Sequence, residues 1–84
     1  MPNGPVFNVS SVVEGQSVTV TILGAACEQV LVRFYVGGVF VDEADASVTS
    51  PAVFNCPPDV QGEAWVVEVF CPGGPVELEE GVVG

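Results

Sequence analysis

The stretch that decides the fold is Gln16-Ser17-Val18-Thr19-Val20-Thr21-Ile22-Leu23. Its apolar residues Val18, Val20 and Ile22 alternate with serine and threonine, and a period of two is typical of a strand that turns one face toward a core. Valine and isoleucine are also stiff, branched side chains that fit a pleated sheet better than a helix. The stretch therefore predicts a half-buried β-strand.

Two further stretches, residues 29–36 and residues 63–70, show the same alternation. The residues that they are predicted to turn toward the core are Val30, Val32, Phe34, Val36, Trp65, Val67 and Val69. The pair Gly37-Gly38 predicts a tight hairpin, because both positions of such a turn can require positive φ. We expect residues 39–41 to pair back onto residues 34–36.

The remaining segments carry weaker signals. Residues 6–13 are predicted as an edge strand and residues 76–79 as a short last strand. Residues 47–54 are predicted as a strand interrupted by proline, with Val48 and Phe54 as its core members. The acidic residues 42–46 have no aromatic or branched member and are predicted as an exposed loop.

The composition supports a globular all-β protein with little capacity for acid–base chemistry. The 84 residues include twenty valines, three leucines and one isoleucine, and the hydrophobic fraction is 49%, which is too high for a disordered chain. Eleven carboxylates face a single cation, Arg33, for a formal charge of −10. Binding to nucleic acid or to an anionic membrane relies on lysine and arginine, so we expect neither partner.

Six or seven short strands, with turns about every 8 to 12 residues, predict an all-β small antiparallel β-sandwich. The strand order resembles the immunoglobulin-like fold: residues 16–23 are similar to its second strand, residues 29–36 to its third and residues 63–70 to its sixth. The tryptophan departs from that pattern, since Trp65 lies on the sixth strand and not on the third. The resemblance implies one immunoglobulin-like domain over residues 1–84.

In that strand order the turns that follow the second and sixth strands lie at the same end of the sandwich. These turns contain Cys27 and Cys71, whereas Cys56 falls at the other end. Cys27 and Cys71 are therefore the pair expected if a disulfide forms. The alternative, that all three cysteines are reduced, fits a reducing cytosol.

Neither catalysis nor a metal site is expected. Histidine is absent, so a serine or cysteine nucleophile would lack its usual base, and the cysteine spacing does not suit zinc. Two carboxylate groups suit calcium by residue type, Asp42 with Glu43 and Asp45, and Glu77 with Glu79 and Glu80. Neither has the regular spacing of a calcium loop, so a solvated acidic surface is the preferred interpretation. We expect no cofactor.

More apolar bulk is present than one sandwich core needs. The face opposite the predicted core side carries Leu31, Tyr35, Phe40, Val66 and Phe70. Arg33 lies on the same face, and arginine is over-represented at protein contacts. The tail Gly81-Val82-Val83-Gly84 adds an apolar edge, so Val82 and Val83 are further candidate contacts. These residues predict a protein that docks onto another protein.

A short immunoglobulin-like chain of this kind is similar to the small decoration or minor capsid proteins of tailed bacteriophages. That resemblance implies a structural virion protein on the outer capsid surface, bound to the major capsid protein and able to cluster there as a homo-oligomer. The N-terminus has no secretory signal, so synthesis in the host cytoplasm is expected. The alternatives are an excised domain of a bacterial adhesin or secreted binding protein, with calcium at Asp42, Glu43 and Asp45, and a component of the phage tail.

Overall fold

The computed structural model describes residues 4–84 and contains seven strands. They are β1 (Val6–Val9), β2 (Ser17–Gly24), β3 (Val30–Val36), β4 (Val39–Ala46), β5 (Ala52–Asn55), β6 (Ala64–Phe70) and β7 (Val76–Val82). Within the described residues no helix has the length and apolar character needed to cross a membrane.

The strands form two antiparallel sheets with the orders β1-β2-β5 and β4-β3-β6-β7. The chain passes from one sheet to the other between β2 and β3, between β4 and β5, and between β5 and β6. Strands β2, β3 and β6 therefore occupy the positions of the second, third and sixth strands of an immunoglobulin-like sandwich. The predicted fold class is confirmed.

The core lies between the inner faces of the two sheets. All seven core residues predicted on β3 and β6 are buried, as are Val18, Val20 and Ile22 of β2. The rings of Phe34 on β3 and Phe54 on β5 stack across the layers with centroids 5.6 Å apart and planes 21° apart. Most other buried side chains are valines, whose short branches allow two pleated sheets to pack closely.

The hairpin between β3 and β4 forms at Gly37 and Gly38, whose φ angles are +61° and +77°, as the sequence predicts. The prediction of an exposed loop over residues 42–46 is wrong, because these residues complete β4 and pair with β3 as far as Ala46 opposite Val30. Acidic residues are poor strand formers, but a well-formed neighbouring strand supplies backbone hydrogen bonds that override this preference.

The prediction that Val48 belongs to the core is also wrong. Residues 47–50 form a tight turn in which the Ser47 and Ser50 backbones exchange hydrogen bonds of 2.9 and 3.1 Å, and Val48 is 61% exposed. Strand β5 begins only at Ala52, after the proline, and Phe54 is buried as expected.

The C-terminal residues are part of the fold and do not form a free apolar tail. Strand β7 continues to Val82, and Val83 is buried in the core with 2% of its surface exposed. The prediction of Val83 as a partner contact is therefore wrong. Backbone hydrogen bonds hold the end in place: Gly84 N–H donates to the Val12 carbonyl at 2.9 Å, and Glu14 N–H donates to the Gly84 carbonyl at 3.1 Å.

One disulfide joins Cys27, in the β2–β3 loop, to Cys71, which follows β6. The two Cα atoms are 5.9 Å apart, and the bridge spans 44 positions of sequence. It lies at one end of the sandwich and ties a crossover between the sheets to the loop that leads into β7. Cys56 is a buried free thiol. Its backbone N–H donates a hydrogen bond to the Gln16 carbonyl, and its carbonyl accepts one from the Gly15 N–H, in the turn that precedes β2.

A glycine on β7 creates the space for the tryptophan. Gly81 is the cross-strand partner of Trp65, and a Cβ at Gly81 would lie 2.8 Å from three atoms of the indole ring. The ring therefore lies over the glycine and is almost fully buried. A side chain at this position would force the indole out of its place.

We expect Gly81→Val to lower the free energy of unfolding by about 1–3 kcal/mol, the usual cost of overfilling a packed site. The measurement is urea denaturation followed by tryptophan fluorescence, whose native emission should shift to longer wavelength in the variant. Gly24→Ala is the matched control, because a Cβ at Gly24 meets nothing within 4 Å. Equal destabilisation by the two variants would contradict this packing role.

We expect the double variant Cys27→Ser/Cys71→Ser to lose about 4 kcal/mol of stability, from the loop-closure entropy of a bridge of this span. The measurement is urea unfolding with and without a reducing agent, in a Cys56→Ala background that prevents exchange. The reducing agent should destabilise the parent to the level of the double variant and leave the variant unchanged. A parent that is insensitive to complete reduction would contradict the prediction.

Candidate docking surface

The solvent-facing side of the four-stranded sheet, here called the outer face, is largely apolar. It is formed by alternate residues of four adjacent strands, so its side chains are neighbours. The apolar members are Leu31, Tyr35, Phe40, Val66, Phe70, Val76, Leu78 and Val82. Phe40, Val76, Leu78 and Val82 expose about half or more of their surface.

The solvent-facing side of the three-stranded sheet is different in character. Its β2 positions are Ser17, Thr19, Thr21 and Leu23, and its polar neighbours on the adjoining strands are Asn8 and Asn55. Exposed apolar residues on this side, such as Leu23 and Val53, are separated by hydroxyl and amide side chains. Scattered apolar residues are normal on a soluble protein, whereas a contiguous patch marks an interaction surface.

The structure places five predicted contact residues, Leu31, Tyr35, Phe40, Val66 and Phe70, together on the outer face. Val82 joins them at the end of β7, whereas Val83 does not. Val76 and Leu78 belong to the same face, although they were not predicted to lie there. The alternation in residues 76–79 would normally turn the apolar residues inward, and only the pairing of Leu78 with Glu68 shows that they point outward.

The centre of the outer face is organised around Arg33. It lies between Glu43 of β4 and Glu68 of β6, its cross-strand partners. Its Nε is 3.8 Å from the Glu43 Oε1 atom, and its guanidinium carbon is 5.1 Å from the centre of the Phe70 ring. Both charged side chains are more than a third exposed, so this ion pair contributes less than about 1 kcal/mol to stability. The guanidinium is therefore positioned over the Phe70 ring at a cation–π distance.

The aromatic pair on the same face is held by an edge-to-face contact. The rings of Tyr35 and Phe40 have centroids 5.8 Å apart and planes 73° apart, a favoured geometry for aromatic side chains. Hydrogen bonding to Glu68, followed by partial burial and the negative charge of Glu68, raises the pKa of the Tyr35 hydroxyl. The Tyr35 hydroxyl is therefore neutral at physiological pH, and its proton is directed to the Glu68 carboxylate.

The acidic side chains are spread over the surface. Strand β4 carries Asp42, Glu43 and Asp45, while Glu77 and Glu79 of β7 lie on the opposite edge of the same sheet. Within residues 4–84, no three acidic or cysteine side chains lie close enough to hold a metal ion. The Asp42 carboxylate instead accepts a hydrogen bond of 2.8 Å from the Glu43 N–H.

One carboxylate has a structural role that the sequence did not indicate. Oε2 of Glu14 accepts hydrogen bonds from the backbone N–H groups of Val60 and Gln61 at 3.1 and 3.3 Å. These contacts bridge 46 and 47 positions of sequence and fix the loop before β6. The same region buries Cys56. Burial and, secondly, the negative charge of Glu14 raise the pKa of its thiol, so Cys56 is unsuited to act as a nucleophile.

The raised pKa of Cys56 predicts a loss of stability in alkali. Below the unfolded-state pKa, 9.0, the thiol is protonated in both states and its contribution is fully present. That contribution is lost as the pH rises through the higher folded-state pKa, because the unfolded chain releases its proton first. We expect the free energy of unfolding between pH 8 and about pH 10 to fall more steeply for the parent than for Cys56→Ala. Parallel pH profiles of the two proteins would contradict this.

Comparison of the chain with protein-family models, with curated proteins and with solved structures gives no match. The assignment of a small antiparallel β-sandwich rests on the strand order of this chain.

Proposed function

We propose that this protein is a non-enzymatic docking module that binds another protein through the outer face of its four-stranded sheet. The observation that supports the proposal is the difference between the two sides of the sandwich. The three-stranded side carries hydroxyl and amide side chains that separate its few apolar residues. The outer face groups aromatic and aliphatic side chains from four adjacent strands around Arg33, with carboxylates among them. Aromatic residues and arginine are the side chains that most often dominate the affinity of protein contacts.

The charge of the chain favours a partner of a different kind over a second copy in face-to-face contact. Each copy carries a formal charge of −10, and the outer face itself includes Glu43, Asp45, Glu68 and Glu80. Two such faces would bring carboxylates together, which costs binding energy. A partner whose apolar surface is surrounded by lysine or arginine would be complementary in both respects.

The setting that we propose is the outer surface of a tailed-phage capsid. There the outer face would dock on the major capsid protein and reinforce its lattice, and copies would cluster by the symmetry of the shell. The acidic surface that remains would face solvent and would repel nucleic acid. The Cys27–Cys71 disulfide suits a virion surface, which is exposed to oxidising conditions after synthesis in the host cytoplasm.

The same disulfide favours one alternative, a domain of a bacterial surface adhesin or secreted binding protein. Exported domains form such bridges routinely. In that case the outer face would pack against a neighbouring domain or a receptor. The two settings differ in the partner and share the docking surface.

We expect Phe40→Ser/Leu78→Ser to weaken binding to particles of the host phage at least about tenfold, because both side chains contribute large exposed apolar surface. The measurement is co-sedimentation of the purified chain with the particles, with saturation at a symmetric copy number. Leu23→Ser/Val53→Ser removes apolar surface from the other sheet and is the matched control, with an expected change of less than about twofold.

Two results would overturn this proposal. Equal weakening by the two double variants would show that the outer face has no special role. A stable monomer that ignores the particles and gains thermal stability in millimolar calcium would favour the adhesin. Light scattering of the free protein and its native tryptophan emission show whether each variant is folded before binding is compared.

A further inference from the structure

The outer edge of β7 borders a groove that shares only Leu78 with the docking face. Strand β7 pairs with β6 on one side. On its other side lies a groove of about 470 Å³ between β7 and the N-terminal strand, lined by Gly4, Pro5, Val6, Phe7, Glu77, Leu78 and Glu79. In the described part of the chain, the backbone groups of residues 76–81 make no hydrogen bonds across this groove.

The chain itself closes only one end of this edge. Gly84 N–H donates to the Val12 carbonyl and Glu14 N–H donates to the Gly84 carbonyl, which is the hydrogen-bond pattern of a parallel strand pair. Residues before Val12 then turn away, and β1 pairs with β2 in the other sheet. The protein's own N-terminal segment thus extends the four-stranded sheet at Gly84, and no strand within residues 4–84 pairs with the rest of the outer edge of β7, about 20 Å long at 3.3 Å per residue.

The two sides of this edge differ in chemistry because the side chains of β7 alternate. Glu77 and Glu79 share the side of Val67 and Val69, their cross-strand partners, and line the groove. The Glu77 side chain lies against Gly4, where a Cβ would overlap it. Val76, Leu78 and Glu80 point to the outer face. A strand added here would therefore meet carboxylates on one side and mainly apolar groups on the other.

We propose that the β7 edge and its groove bind an extended segment of a partner protein that alternates basic with apolar residues. Its backbone would hydrogen-bond to β7 and continue the sheet, a known mode of peptide recognition. Its lysine or arginine side chains would enter the groove beside Glu77 and Glu79, and its apolar side chains would extend the outer face beyond Leu78. A second copy of β7 is a poor occupant, because it would place glutamates against glutamates.

The test uses a synthetic peptide of about eight residues that alternates lysine with threonine and valine. We expect it to shift the backbone amide resonances of residues 76–82 and of Gly4, Val6 and Phe7, and to slow hydrogen exchange of amides on β7. A peptide of the same sequence with N-methyl groups on alternate amides keeps the charge but lacks half of the backbone donors. It should lose the binding.

The location of the site is tested with two variants that each remove two negative charges. Glu77→Gln/Glu79→Gln should weaken peptide binding about five- to tenfold, and Asp42→Asn/Asp45→Asn, on the other edge of the same sheet, less than about twofold. Equal weakening by both variants, or unimpaired binding of the N-methylated peptide, would show non-specific attraction and overturn the proposal. Phe40 does not line the groove, so the effect of Phe40→Ser alone on particle docking separates the two proposals, and either can fail without the other.

Discussion

The stacking of Phe34 on Phe54 joins the two sheets at the centre of the molecule, and the valine layers around it set the distance between them. Valine is short and branches at Cβ, so its side chains fill the narrow space between the two sheets. The inner positions of β2, β3 and β6 are then complete. The remaining large apolar side chains of β3 and β6, including Leu31 and Phe70, are left on the solvent side of the four-stranded sheet.

A core of this size stabilises an 84-residue chain only modestly, and three features of the ends of the sandwich add to it. The Cys27–Cys71 bridge holds the loops at one end. At the other end, Glu14 binds the loop at Val60 and Gln61. The backbone of Gly84 is held by Val12 and Glu14. Each feature joins segments that are far apart in sequence. The disulfide limits the freedom of the unfolded chain, and the hydrogen bonds fix segments that the core does not reach.

The sequence predicted those parts of the fold in which one physical signal dominates. On β2, β3 and β6 a period of two and branched side chains agree, and their core residues are confirmed. The predictions are wrong where pairing outweighs local preference. The acidic composition of residues 42–46 predicts a loop, but β3 pairs with them and supplies their backbone hydrogen bonds. The position of Val83 near the C-terminus suggests an exposed tail, but the hydrogen bond from Gly84 to Val12 holds this segment in the fold. The outer face was predicted in part, because residues on β3 and β6 follow from the alternation. Val76 and Leu78 depend on a register that the pattern of residues 76–79 does not encode.

Strand β7 contributes side chains to both the outer face and the groove. Its alternation is inverted, because its apolar side chains point to solvent while Glu77 and Glu79 point to the side of the core. Glutamates at Glu77 and Glu79 stand on the side where β6 presents its core valines, and they remain exposed because β7 is an edge strand. Such inward-facing charges are a common device against edge-to-edge aggregation, and here they act against copies of this acidic chain. The same charges would attract a basic strand, as proposed for the groove. An edge that repels a second copy and attracts a basic segment would keep this acidic protein monomeric until it meets its partner. Leu78, on the same strand, would then contribute to the outer face next to the bound segment.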